Sequence, residues 1–431
     1  MSRDEARVDS RSGETLWPTR DWDSELLLGV PKVDWALVDQ QIREGLDAVE
    51  IERRAVERLE SEIPAEYRKR QRATRRSVTA ELRRRRDRLL LVNRVRRWRS
   101  VRRLEWVWGD AIDALEALHH ACVEFGGEHT DAHQEQRRVE DDFCCEALIV
   151  LFARALLTTS EIIALLRSGH GLGAAGRWRT LHEVSVFSAV IAEGSQEVAE
   201  RYLLHSTSME FRDLREERQR LEAAGDELRF DDEEDEYFAE VELAHGRLIE
   251  RFGASFGADH GWAAPLFDGK PPTFKMLQER SERDRHRADY RTSSHLVHSD
   301  SWGSRALIVD HHGDELVQTG PSNGGLAAPG AITAGALCDC ATIVLFHDDR
   351  DTNPDLVGMV QSLQDLAADA EERFRRADQH LDELREELDD LGGNKVSTWR
   401  WRVLATRRTV SEARWRAVRL LRGIGLAPPQ H

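Results

Sequence analysis

Residues 143–166 read FCCEALIVLFARALLTTSEIIALL, and this stretch decides the fold. Glu146, Arg154 and Glu161 are its only charged residues. At about 100° per residue, its apolar side chains fall on every face, which marks a helix buried on all sides. Gly169, Gly171 and Gly173 follow and read as its stop, because glycine enters the left-handed conformation after a helix at little cost. Ala331 to His347 has the same all-round apolar character, with Pro329 placed near its start. Two fully apolar helices among amphipathic ones predict an all-α protein with a compact central bundle.

Working toward the C-terminus, Ala174 to Glu193 and Glu197 to Arg220 read as helices. The acidic run 231–236 reads as a solvated loop or a helix start, and Gly253 to Pro272 as irregular chain. Phe274 opens a helix expected to reach His298, with a bend. Ala306 to Asp310 and Glu315 to Thr319 suggest a small hairpin. Pro354 to Leu391 is a long charged helix, and a basic, tryptophan-bearing helix over 397–421 closes the chain. Toward the N-terminus, 1–36 lack helical periodicity and read as an arm. Helix is expected from about Asp39, interrupted by Pro64 and resumed through an arginine-rich stretch up to a break at Gly126-Gly127. The expected organisation is an arm (1–36), a long basic helical hairpin (37–125), a central helical domain (138–350) and C-terminal charged helices (354–431).

The chain has 431 residues and a net charge of −17. Charge is unevenly placed: Arg68 to Arg103 holds 17 basic residues against Glu81 and Asp87, a balance of +15 that leaves −32 for the remainder. Such a segment either has its own electrostatic task or docks on acidic surface. Arg83, Arg84, Arg86, Arg94, Arg97 and Trp98 are the candidates for tracking a nucleic-acid backbone and stacking a base. Five cysteines, two of them adjacent, make no disulfide framework and fit a reducing cytoplasm. The longest apolar run, Ala147 to Leu157, is interrupted by Arg154 and is shorter than the ~20 residues of a membrane span. No secretory leader is visible in the first residues. His129-x(3)-His133 near Cys122, Cys144 and Cys145 is too incomplete for a zinc site, and Cys338-x-Cys340 reads as buried thiols, so no metal or cofactor is implied.

The residues that could carry chemistry lie on two helices. Arg179 and Glu183 are four apart and face the same way. Tyr290 and Ser294 share a stripe with His298, at i, i+4 and i+8, and Arg291 returns to that face seven residues before His298. Histidine serves as acid or base near neutral pH, and arginine clamps phosphate through paired N–H groups. Arg291 with His298 resembles the Arg-x(4–6)-His signature of HEPN-type ribonucleases, although about seven such pairs arise by chance at this composition. Arg177-x(4)-His182 fits the same expression but sets its side chains about 140° apart.

Three pieces taken together are more specific: the apolar helix ending Leu165-Leu166-Arg167-Ser168-Gly169, then Arg179-Thr180-Leu181-His182-Glu183, then Tyr290-x(3)-Ser294-x(2)-Val297-His298. From about Glu146 to Asp348 the chain resembles an all-helical bacterial domain family without an assigned activity. The resemblance implies that Arg179, Glu183, Tyr290, Ser294 and His298 meet in space. The leading expectation is a cytoplasmic protein acting on RNA without a metal, as a homodimer in the HEPN-like case. His298 would be its acid/base and Arg291 its phosphate clamp, with Glu183 orienting Arg179. Its rivals are a non-catalytic protein-interaction module of bacterial defence, whose polar cluster is structural, and a nucleic-acid scaffold that does not cleave.

Overall fold

A computed structural model of the chain describes residues 65–136, 142–224, 232–298, 300–311, 314–347 and 354–390, together with position 53. The arm, the helix expected to pair with the basic stretch, and the closing helix over 397–421 lie outside those residues. The described helices are α1 (Ala65–Gln136), α2 (Phe143–Arg167), α3 (Gly171–Glu193), α4 (Gln196–Ala224), α5 (Asp232–Phe252), α6 (Phe274–Arg280), α7 (Arg287–Val297), α8 (Ser301–Arg305), α9 (Ala327–Phe346) and α10 (Pro354–Asp390). Strands β1 (Ile308–His311) and β2 (Asp314–Val317) form an antiparallel hairpin with Ile308 opposite Val317, and it is the only sheet among the described residues. The fold is all-α.

Two compact units divide the chain. The smaller takes in 65–92 and 213–238 of the described residues. Within it, Arg218 lies 3.4 Å from Asp235 and stands over the ring of Phe238, which is buried.

The larger unit, 93–212 with 239–390, holds the core. Leu104, Trp108, Ile112, Leu115, Leu118 and Cys122 recur at threes and fours along α1 and are buried against α2, α3, α9 and α10. Two indole N–H groups reach backbone carbonyls instead of being stranded: Trp108 donates to Asn323 O at 2.9 Å and Trp178 to Ile332 O at 3.0 Å. Both α2 and α9 are long and apolar enough to cross a membrane by length and composition alone. Here each contributes a row of buried residues to this core. An uninterrupted apolar run misses α2 because Arg154 and Glu161 break the run without breaking the helix.

Several glycines play a different part from the one the sequence suggests. Gly126 and Gly127 do not end α1, which continues to Gln136. Gly126 is buried where a Cβ would collide with the Phe152 ring, so glycine is there for close packing. Gly169, at φ 78°, does stop α2, but Gly171 and Gly173 belong to α3. Gly171 packs its backbone directly on the Gly325 carbonyl. The single helix expected over 274–298 is instead α6, a 3-10 turn at Asp284–His286 and α7, parted where Glu282 takes φ 55°. The strands fall within two residues of their expected limits. The acidic run is a helix start: Asp232 to Asp235 form the first turn of α5, where the helix dipole favours negative charge.

Candidate functional site

The site is built where α7 lies along α3. Trp178, Leu181 and His182 turn one side of α3 into the core, which leaves Arg179 and Glu183 on the side that meets α7. Arg179 donates from Nε to Ser294 Oγ at 3.0 Å and from Nη2 to Tyr290 Oη at 2.9 Å. The same Nη2 lies 3.0 Å from Glu183 Oε1, and Tyr290 Oη donates to that oxygen at 2.7 Å. Ser294 Oγ completes the ring by donating to Tyr290 O at 2.9 Å. The guanidinium also stands over the Tyr290 ring, 5.1 Å from its centroid. Burial, followed by the Glu183 carboxylate, holds the Tyr290 phenol above its ordinary pKa, so it stays a proton donor.

Of the five guanidinium N–H groups, one on Nε and one on Nη2 donate hydrogen bonds in this network, and Nη2 is also ion-paired with Glu183. The two on Nη1 have no hydrogen-bond partner among the described residues, and Arg179 lines an open cleft of about 520 Å3. Arg177, Thr180, Ser304 and His298 supply the other polar groups of the cleft, while Leu165, Leu172, Leu296, Val297 and Leu307 supply an aliphatic wall. Arg177 is itself anchored by Glu161 and lies 3.4 Å from Thr180 Oγ1. His298 is exposed to solvent.

His298 reaches the cleft by leaving α7. That helix ends at Val297, and His298 caps it with ψ 139°, its N–H donating to Ser294 O at 3.1 Å. The i, i+4, i+8 stripe therefore holds for Tyr290 and Ser294 but not for His298. For the same reason the seven-residue relation of Arg291 to His298 lapses: Arg291 is exposed on α7 and is absent from the cleft lining. Chain direction at the helix end explains both. Short α8 follows, and its Gly303 and Ser304 line the cleft. Asp300 caps it by accepting from Gly303 N at 2.7 Å, and its other carboxylate oxygen meets His295 Nδ1 at 2.6 Å. The Gly303 backbone presses on the His295 carbonyl, with no room for a Cβ.

Two histidines are ruled out as acid/base groups by burial. His182 is 1% exposed, stacked on Trp178 at 5.1 Å and 2.8 Å from Gln278 Nε2; desolvation pushes its pKa down to about 3. His205 contacts Ala258 O at 2.8 Å and is likewise lowered by burial. The five cysteines are reduced and buried, with Cys122 pushed up to about 12 by desolvation. Among the described residues no group of three or more His, Cys, Asp or Glu could hold a metal; the side chains of His129 and His133 lie outside the description.

The sequence reading missed Thr180 and Ser304, and noted Arg177 only through its spacing to the buried His182. It also missed Arg201, 3% exposed, whose guanidinium donates to the carbonyls of Trp262 (3.2 Å), Phe252 (3.2 Å) and Gly261 (2.9 Å). The available signal was an arginine in α4 beside Val198, Ala199 and Tyr202.

Residues 146–316 match the model of a family of unknown function (DUF5677). The matched span runs from α2 to β2 and contains every site residue named on α3, α7 and α8. It stops short of α9 and α10 and begins after α1, so the DUF5677 match excludes the basic stretch. No curated protein and no solved structure matches the chain.

Proposed function

We propose that the DUF5677-matched cleft binds the phosphodiester backbone of single-stranded RNA and cleaves it without a metal, in the cytoplasm. The observation that carries this reading is the shared cleft: an exposed imidazole, His298, and two anchored guanidinium groups, Arg177 and Arg179, line one opening. Neutral His298 takes the 2′-hydroxyl proton as the bond from that oxygen to phosphorus forms and the bond from phosphorus to the 5′-oxygen breaks. Water protonates the departing 5′-oxygen, and the hydroxide so formed takes the proton back from His298. Arg177 and Arg179 hold the non-bridging oxygens, where negative charge grows. The network of Glu183, Tyr290 and Ser294 positions Arg179 before substrate arrives, so no binding energy goes to ordering it. Arg177 thus takes the clamp role expected of Arg291. A second reading, a non-catalytic module, draws on the self-sufficiency of that network.

The test is single-stranded RNA incubated with the full chain in EDTA. The expected products end in 2′,3′-cyclic phosphate and 5′-hydroxyl. Removing an acid/base group typically costs 10²–10⁴-fold in rate, so His298→Ala is expected to lose cleavage by about that factor. Intact RNA with the wild-type protein overturns the enzymatic reading and leaves the interaction module.

A further inference from the structure

Residues 68–92 of α1 carry 11 basic residues and two acids, a balance of +9 within the smaller unit. Glu81 pairs with Arg84 and Arg85. Arg75, Arg76, Arg83, Arg86 and Arg88 have no ion pair among the described residues, and each is exposed. Like charges also stand one turn apart at Arg72/Arg76 and Arg84/Arg88, each such pair opposing the helix by about 0.2–0.5 kcal/mol. The segment keeps its helix under repulsion that a polyanion relieves.

The distribution of charge around the axis selects the polyanion. Arg83, Arg84, Arg85 and Arg86 are consecutive, so at about 100° per residue they point in four directions. Leu89, Leu90, Leu91 and Val92 are consecutive too, and all four are exposed. Val78, Leu82, Leu89 and Val92 share one narrow stripe, which Arg85 enters, and cations stand on every other side. A helix that lies in a bilayer surface needs a broad apolar side, and this stripe is narrow and carries Arg85. A single acidic helix or strand would cover one side and leave the others uncompensated. A nucleic-acid groove has phosphates on both walls, and the ~12 Å major groove of B-form DNA admits a helix. At about 1.5 Å per residue the 25 residues span roughly 37 Å, close to one duplex turn.

We propose that residues 68–92 lie in a groove of double-stranded nucleic acid and bind it through phosphates on both walls. The site is separate from the cleft, and it stands or falls without the cleavage reaction. Fluorescence anisotropy of the full chain with 20-base-pair DNA and RNA duplexes tests it against polyglutamate and anionic lipid vesicles. Binding to one or both duplexes is expected to weaken steeply with salt. The variant Arg83→Gln/Arg84→Gln/Arg86→Gln replaces three exposed side chains. It is expected to lower the slope of log affinity on log salt by about 3 and to weaken binding more than tenfold at 0.15 M salt. Far-UV circular dichroism should match wild type, and His298→Ala should bind duplex normally. The proposal is overturned if the triple variant binds duplex as wild type does. Capture by polyglutamate or vesicles, with neither duplex bound, also overturns it.

Discussion

Arg201→Met is expected to destabilise the larger unit by on the order of 3–5 kcal/mol. The guanidinium is almost sealed from water, stands over the rings of Phe252 and Phe256, and serves three backbone carbonyls, one at the end of α5 and two in the segment before α6. Methionine preserves most of the volume, so little of the loss comes from a cavity. The cost arises because the Phe252, Gly261 and Trp262 carbonyls lose their donors where water has poor access. Glu197, 3.8 Å from Arg201 and more than half exposed, contributes little by comparison, and Glu197→Gln should change stability by under about 1 kcal/mol. Urea unfolding followed by circular dichroism checks both. Equal, small losses in the two variants would contradict the account of Arg201 as a clamp on this segment.

The second large effect is in acid. The folded pKa of His182, about 3, lies below its ordinary 6.5. The unfolded chain therefore takes up a proton that the folded chain refuses, and the stabilisation from neutral His182 is complete above pH 6.5. As pH falls from 6.5 toward the folded value, that stabilisation drops by about 1.4 kcal/mol per unit. His182→Gln abolishes this dependence while retaining a partner for Gln278. The stability gap between wild type and variant should thus narrow between pH 6.5 and 4.5, measured by urea unfolding at each pH. His205 and His260, also lowered by burial, remain in both proteins and cancel. A gap that stays constant over this range would contradict a buried, neutral His182.

Much of the architecture follows from periodicity. The apolar helices α2 and α9, the amphipathic α10 and the hairpin appear close to where their patterns place them. What periodicity misses is the conformation of single residues at helix ends. Nothing in the composition of 274–298 announces that Glu282 takes a positive φ or that His298 turns into extended chain. Glycine was ambiguous for a related reason. Gly126 is required by a neighbour distant in sequence, the Phe152 ring, and such a contact leaves no local pattern. The Arg179–Glu183 and Tyr290–Ser294 pairs were legible because four-residue spacing survives inside any helix. Arg177, Thr180 and Ser304 were not, because their grouping depends on how α3, α7 and α8 pack. Arg291 was overvalued because spacing was extended past the end of its helix.

The central claim is that His298 and Arg179 face the same phosphate. Histidine side-chain NMR of the full chain tests it directly, with the His298 resonance assigned from His298→Ala and a non-cleavable 2′-O-methyl RNA oligonucleotide as titrant. The expected result is a saturable shift of the His298 signal as phosphate binds beside it, lost in Arg179→Gln. A His298 signal that stays put while the oligonucleotide binds would contradict the claim and place RNA elsewhere on the protein.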